Sequence, residues 1–157
     1  MVEQWELLAT VNGDGTSTTL SSGTIIAKKF LQVQWFGENT DGLNMRFNGD
    51  TLNNYAVRYA YNGDPDVTTT INSDKLNLNY TTTTTTFSTN IINIASEEKL
   101  VHGSDSERNT AGAANTPYRF LWASKWTNTT DQITQIDLGK SGASFTAASN
   151  LTVFGTD

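Results

Sequence analysis

The chain has 157 residues, no cysteine, two prolines, twelve glycines, and ten basic against sixteen acidic side chains, for a formal charge of -6. That length suits one domain with a real core, so residues 1–157 are expected to form a single unit. Without cysteine there are no disulfides, thiolate metal sites or cysteine nucleophile, and ten scattered cations do not make the patch that phosphate neutralisation requires, so no nucleic-acid partner is expected.

Threonine (26) and asparagine (16) make up 42 of the 157 residues. Threonine favours strands and asparagine favours turns, and both are poor in helix interiors. The composition predicts an all-β domain. The first residues lack a basic segment followed by an apolar one, and no stretch approaches 18 apolar residues, so a soluble chain with no export signal and no membrane partner is expected.

In chain order, the first strand is predicted over Gln4 to Val11, closed by Asn12-Gly13-Asp14-Gly15, whose residues supply the positive φ that tight turns need. Thr18 to Ala27 is a weaker candidate. Phe30 to Phe36 alternates Leu31, Val33 and Trp35 against Gln32 and Gln34, the pattern of a strand with one packed face. Leu43 to Phe47 follows, then the turn Asn48-Gly49-Asp50, read as a hairpin into Asn54 to Tyr61. In that last strand Tyr55, Val57, Tyr59 and Tyr61 share one face and Ala56, Arg58 and Ala60 the other, so both faces are expected to be partly covered.

Val67 to Ala95 reads as two or three strands around a bend at Asn72-Ser73-Asp74. Its run Thr81 to Thr86 has no facing pattern, specifies register poorly, and is expected at an edge or rim. Leu100 to His102 is a short strand candidate. Gly103 to Asn115 has no large apolar residue and is predicted to be a long exposed loop. Tyr118 to Trp126, Ile133 to Leu138 and Leu151 to Phe154 complete the set. About eight to ten antiparallel strands without a helix predict a single-domain β-sandwich, jelly-roll-like, with a barrel as second choice.

Little in this pattern supports chemistry. His102, Ser104 and Asp105 fall in one short segment, and no Gly-x-Ser-x-Gly elbow exists. Most aspartates lie in predicted turns, where they cap local backbone, and Glu97-Glu98 would point oppositely on a strand. Asn62-Gly63-Asp64-Pro65-Asp66 and Asn12-Gly13-Asp14 could offer calcium oxygens but match no EF-hand loop. The expectation is therefore no enzyme, no catalytic residue, no metal and no cofactor. Among the four tryptophans, Trp35 and Trp122 sit in apolar rows; Trp5 and Trp126 remain as candidates for a glycan-stacking surface.

The stretch Leu43 to Gly63 contains Arg46-Phe47-Asn48, Asp50 and Asn54-Tyr55-Ala56. It resembles a family of small bacteriophage virion proteins with an Arg-Phe-Asn-x-Asp-x-x-x-Asn-Tyr-Ala core. Trp5 to Ala9, Ala27 to Gln34, Ile91 to Val101 and Phe145 to Gly155 agree with it, so the likeness runs nearly end to end; Leu52 stands where the family is expected to have glycine. The resemblance implies a β-sandwich virion component of head, tail or fibre. Together with the absence of an enzymatic constellation and a strand with two covered faces, it leads to the expectation of a head decoration (cement) protein on the outer capsid surface, assembled in the host cytoplasm. Its partners would be the major capsid protein and copies of itself, as a homotrimer. The alternative is a tail or fibre adhesin binding host glycan. Arg46, Arg58, Tyr55 and Tyr59 are the candidate subunit interface, and Trp5 and Trp126 the candidate glycan contact. Both arginines could bridge to carboxylates or simply cover the sheet.

Overall fold

The computed structural model describes residues 4–38, 41–79, 84–108 and 110–157, with backbone alone for 68–70 and 79. Strands form where β-branched and aromatic residues alternate with polar ones. They are β1 (Glu6–Asn12), β2 (Thr19–Ser21), β3 (Phe30–Glu38), β4 (Leu43–Phe47), β5 (Tyr55–Tyr61), β6 (Val67–Ser73), β7 (Leu76–Asn79), β8 (Thr84–Ile92), β9 (Lys99–Glu107), β10 (Tyr118–Trp126), β11 (Ile136–Lys140) and β12 (Asn150–Thr156). Among the described residues there is no helix.

All pairings are antiparallel and build two sheets, an eight-stranded one in the order β1-β12-β3-β8-β9-β10-β5-β6 and a four-stranded one in the order β2-β11-β4-β7. The fold is thus an all-β sandwich, as the composition predicts, with twelve strands among the described residues where turn spacing suggests eight to ten. The chain passes repeatedly between the sheets, which sews the two layers together. The core fills the space between them: Leu31, Val33 and Trp35 of β3 and Ile91 of β8 meet Met45, Phe47, Leu76, Leu78, Ile136 and Leu138 of the small sheet, all at 0–1 % exposure.

Asn48 and Gly49 both take positive φ (52° and 67°), and the Asp50 amide donates to the Phe47 carbonyl at 2.9 Å. The turn forms as the Asn-Gly pair requires. It does not close a hairpin, however: β4 lies in the small sheet and β5 in the large one. The reason is in the side chains. Asn48 Oδ1 accepts from the amides of Thr134 (2.8 Å) and Gln135 (3.0 Å), tying the turn to the segment before β11. The Tyr55 hydroxyl accepts from the Phe47 amide at 3.0 Å and donates to the Asp50 carbonyl at 3.2 Å, from inside the core. Asp50 in turn accepts from Trp126 Nε1 (2.7 Å), Asn54 Nδ2 (2.9 Å) and the Leu52 amide (2.8 Å).

The long loop expected over Gly103 to Asn115 is corrected at its first half. Gly103 to Glu107 belong to β9, between β8 and β10 at the middle of the large sheet, with Gly103, Asp105 and Glu107 pointing inward and Ser104 and Ser106 outward. Alternation is present there but is carried by glycine and acids in place of apolar residues. A Cβ at Gly103 would lie 2.6 Å from the Trp122 ring and 2.6 Å from Thr89 Oγ1: the indole lies over the bare backbone. Thr84 to Thr86 likewise pair on both sides, with Glu38 to Phe36 of β3 and, for Thr85 and Thr86, with Glu107 and Ser106 of β9. Thr85 is fully buried. This part of the threonine run is therefore central and not an edge, because two neighbours fix the register that threonine alone does not. Thr81 to Thr83 lie outside the described residues.

Two predictions follow from this packing. Gly103→Ala forces a methyl into the Trp122 ring and lowers the free energy of unfolding by about 1–3 kcal/mol; urea denaturation with unchanged stability would contradict the placement of the indole. Burial pushes the Asp50 carboxyl up, but the bonds from Asn54, Trp126 and Leu52 outweigh it and hold its pKa below the ordinary carboxylate value. A depressed carboxyl contributes stability above its unfolded pKa and loses it as pH falls through the folded one. Asp50→Asn is therefore less stable at neutral pH, and its acid-unfolding curve is shallower than that of the wild type.

Candidate functional site: the outer face of the large sheet

Apolar residues occur as adjacent pairs at one end of three neighbouring strands: Phe30-Leu31, Ile91-Ile92 and Leu100-Val101. On a pleated strand one member of each pair must face each side. Leu31, Ile91 and Val101 enter the core, which leaves Phe30 (41 % exposed), Ile92 (40 %) and Leu100 (52 %) on the outside. Register puts these three side by side, Phe30 opposite Ile92 and Ile92 opposite Leu100, and continues the row to Lys125 and Ala56.

Trp5, just before β1, closes one side of this stripe. With Phe30, Ile92, Leu100, His102 and Ala123 it lines a groove of about 460 Å³. A second groove of about 310 Å³ continues across the sheet between Leu100, Ala123, Ala56, Arg58, Ile71 and Lys125. Leu100 is the ridge between the two. A contiguous apolar surface of this kind, flanked by polar groups, marks an interaction site more often than scattered exposed residues do.

The charges on this face are as informative as its apolar groups. Outward positions of β3, β8, β9, β10 and β5 carry Arg58, Arg119 and Lys125, but one acid, Glu38, at the far end of β3. In a chain with sixteen acids and ten bases that is an inverted balance. Lys125 is paired with Glu98 at 2.7 Å. Among the described residues no carboxylate lies within ion-pair distance of Arg58 or Arg119.

The residues singled out from the sequence are dispersed. Arg58 is exposed on this outer face, whereas Arg46 is on the small sheet, where its guanidinium pairs with the Asp74 carboxylate and donates to the Asp74 carbonyl at 3.0 Å. Of the two sources expected for such a carboxylate, a neighbouring subunit or a neighbouring strand, Arg46 takes its partner from its own chain. Tyr55 is 1 % exposed and Tyr59 stacks on Phe120 at 4.6 Å on the inner side, so neither joins Arg58. Burial raises the Tyr55 pKa far above the ordinary phenol value. Trp126 is 1 % exposed, with its indole donating to Asp50 inside the sandwich, so Trp5 and Trp126 do not form one platform. Trp126 shares the buried face of β10 with Phe120 and Trp122. The residues that sequence reasoning missed are Phe30, Ile92, Leu100 and Ile71, and the signal for the first three was the apolar doublet.

His102 and Ser104 project outward while Asp105 projects inward, because alternate residues of β9 face opposite sides. They form no triad. Asp14 spends its carboxylate on the Thr16 and Ser17 amides and the Ser17 hydroxyl, which hold its pKa well below the usual range. No group of three His, Asp or Glu among the described residues is placed to hold a metal ion. Inside the sandwich, β9 carries two buried acids on one face: Asp105, whose Oδ1 accepts from the Phe120 amide at 2.8 Å, and Glu107. Burial raises the pKa of nearby Tyr61, and the negative charge of Glu107 adds to it.

No protein-family model matches the chain, and no curated protein matches it. Solved structures to which it is similar include scytalido-glutamic peptidase with a peptide-based transition-state analogue, at 7 % identity and a TM-score of 0.29 over 98 % of this chain. The chain spans 65 % of that structure's length. Another is the CBM2 module of the Lactobacillus casei BL23 phage J-1 evolved Dit, at 6 % identity and a TM-score of 0.25 over 99 % of this chain and 98 % of that one. The expectation that the chain is not an enzyme is corrected by the presence of a peptidase among these structures, a likeness of fold that assigns no activity to this chain. That expectation assumed aspartates spent in turns and a loop at Gly103 to Asn115, whereas β9 carries Asp105 and Glu107 together into the interior.

Trp5 is the one tryptophan at the surface, at 49 % exposure against 1–2 % for Trp35, Trp122 and Trp126. In dilute protein, Trp5→Phe is expected to remove most of the emission that acrylamide quenches while leaving the shielded emission in place. Quenching that is unchanged in the variant would show that Trp5 does not stand at the mouth of the groove.

Proposed function

We propose that this chain is a virion structural protein that decorates the outside of a phage head, cementing neighbouring capsomers as a homotrimer with the major capsid protein as its partner. The observation that carries this reading is the outer face of the large sheet, where a row of large apolar side chains is presented to solvent on a regular strand scaffold. An interface core is poor in charge and rich in aromatic residues, Met and Arg, and this face has Trp5, Phe30, Arg58 and Arg119 with acids nearly absent. The sequence resemblance to phage virion proteins supplies the setting.

The work such a protein does is burial of surface. Each contact formed only in the assembled shell stabilises the shell over its free parts by mass action. With no cysteine in the chain, these contacts carry what disulfides would otherwise contribute. The adhesin alternative would bind glycan through Trp5, Trp126 and the Gly103 to Asn115 segment; Trp126 lies in the core and Gly103 to Glu107 lie in β9, which supports decoration over adhesion.

Purified protein mixed with phage heads from its own source is expected to co-sediment with them, and cryo-microscopy of virions is expected to show its density over junctions between capsomers. Protein that stays in the supernatant, with virion density at the tail, would overturn the assignment.

A further inference from the structure

We propose that a second copy of this chain sits on the outer face of the eight-stranded sheet, docked head to tail, with the Phe30, Ile92 and Leu100 row as the apolar centre and Arg58 receiving a carboxylate from that copy. The inference rests on the oligomeric reading above and names the surface that builds the oligomer.

Size is the first argument. Five strands by four outward rows, about 4.8 Å apart between strands and about 6.8 Å between rows, span roughly 650 Å². That approaches the ~800 Å² per partner of a standard stable interface. The grooves on either side of Leu100 give that area relief, so a partner side chain can enter each one.

Charge is the second argument, and it selects the mode of docking. Apposing two copies of this same face would bring Arg58, Arg119 and Lys125 toward their own kind, with Glu38 and Glu98 too few to compensate. Like charges held at a contact cost several kcal/mol. The rest of the surface has the opposite character: Asp14, Asp64, Asp66, Glu97, Asp131 and Asp157 are all exposed. An acid-poor face therefore meets an acid-rich surface when the contact is heterologous. A heterologous contact repeats until it closes, and closure gives a ring, the arrangement a trimer needs.

Sedimentation velocity over a wide range of concentration tests this on the intact chain. The wild type is expected to associate reversibly into a closed oligomer, more weakly as salt is raised. Leu100→Asp, at a half-exposed site that the fold tolerates, is expected to weaken association about tenfold or more, since a buried unpaired charge exceeds the 1.4 kcal/mol of one decade. Arg58→Glu is expected to weaken it and to flatten the salt dependence, while Thr19→Glu on the small sheet leaves it unchanged; circular dichroism confirms folding of each. A wild type that stays monomeric, or an oligomer that survives both face variants, overturns the proposal. Leu100→Cys adds a geometric test in a chain without other cysteines: efficient Leu100→Cys self-cross-linking would show a face-to-face dimer and overturn head-to-tail docking. Head binding fails separately. A ring that does not bind heads supports this surface and overturns decoration, whereas a monomer that binds heads overturns this surface and the trimer and leaves head binding standing.

Discussion

The core of this sandwich depends on an empty position. β9 runs through the middle of the large sheet, and at Gly103 it offers no side chain to the interior, so Trp122 of β10 lies across it and reaches Phe87 of β8 edge-on at 5.8 Å. From there ring contacts continue without a break, to Trp35 and Phe145 in one direction and to Phe120 and Tyr59 in the other. Offset and edge-to-face pairs of this kind add about 0.5–1.5 kcal/mol each beyond the area they bury. A methyl group at position 103 would break the row at its centre, where both sides depend on it.

The same strand shows how the two faces of the sheet are coupled. Inward, β9 supplies Lys99, Val101, Gly103, Asp105 and Glu107; outward it supplies Leu100, His102, Ser104 and Ser106. Its inner charges are held by specific partners. Lys99, fully buried, donates to the carbonyls of Ala95 (3.2 Å), Glu97 (2.7 Å) and Asn128 (2.8 Å), and burial lowers its pKa even so. A buried ammonium with three carbonyl acceptors is tolerated where an unpartnered one would not be. With charge taken inward on β9, Leu100 is left as the apolar residue outside, and the docking stripe crosses the strand there.

Much of the architecture was legible in the residues. Alternation in Phe30 to Phe36 and Tyr118 to Trp126, Asn-Gly at 48–49 and 62–63, and the Thr/Asn excess together led to an antiparallel sandwich, since each is a local preference that tertiary packing here reinforces. The failures share one cause. A hairpin between β4 and β5 was expected because local turn chemistry does not say which sheet the next strand joins; Asn48 and Tyr55 decide that through bonds to residues distant in sequence. The Gly103 loop was expected because a strand whose inner face carries Gly, Asp and Glu lacks the apolar alternation by which strands are recognised.

By itself the sequence determined the class of fold, the positions of the tight turns, the absence of covalent cross-links and the apolar doublets that cannot all be buried by one sheet face. Those are properties of single residues or of near neighbours. Only the tertiary structure decided that Trp126 and Tyr55 are core while Trp5 is surface, that Arg46 already has its carboxylate while Arg58 has no such partner among the described residues, and that Phe30, Ile92 and Leu100 stand in one row. Row membership is a matter of register between strands far apart in the chain. Register is fixed by which side chains fill the core, and the filled core determines what remains on the outside.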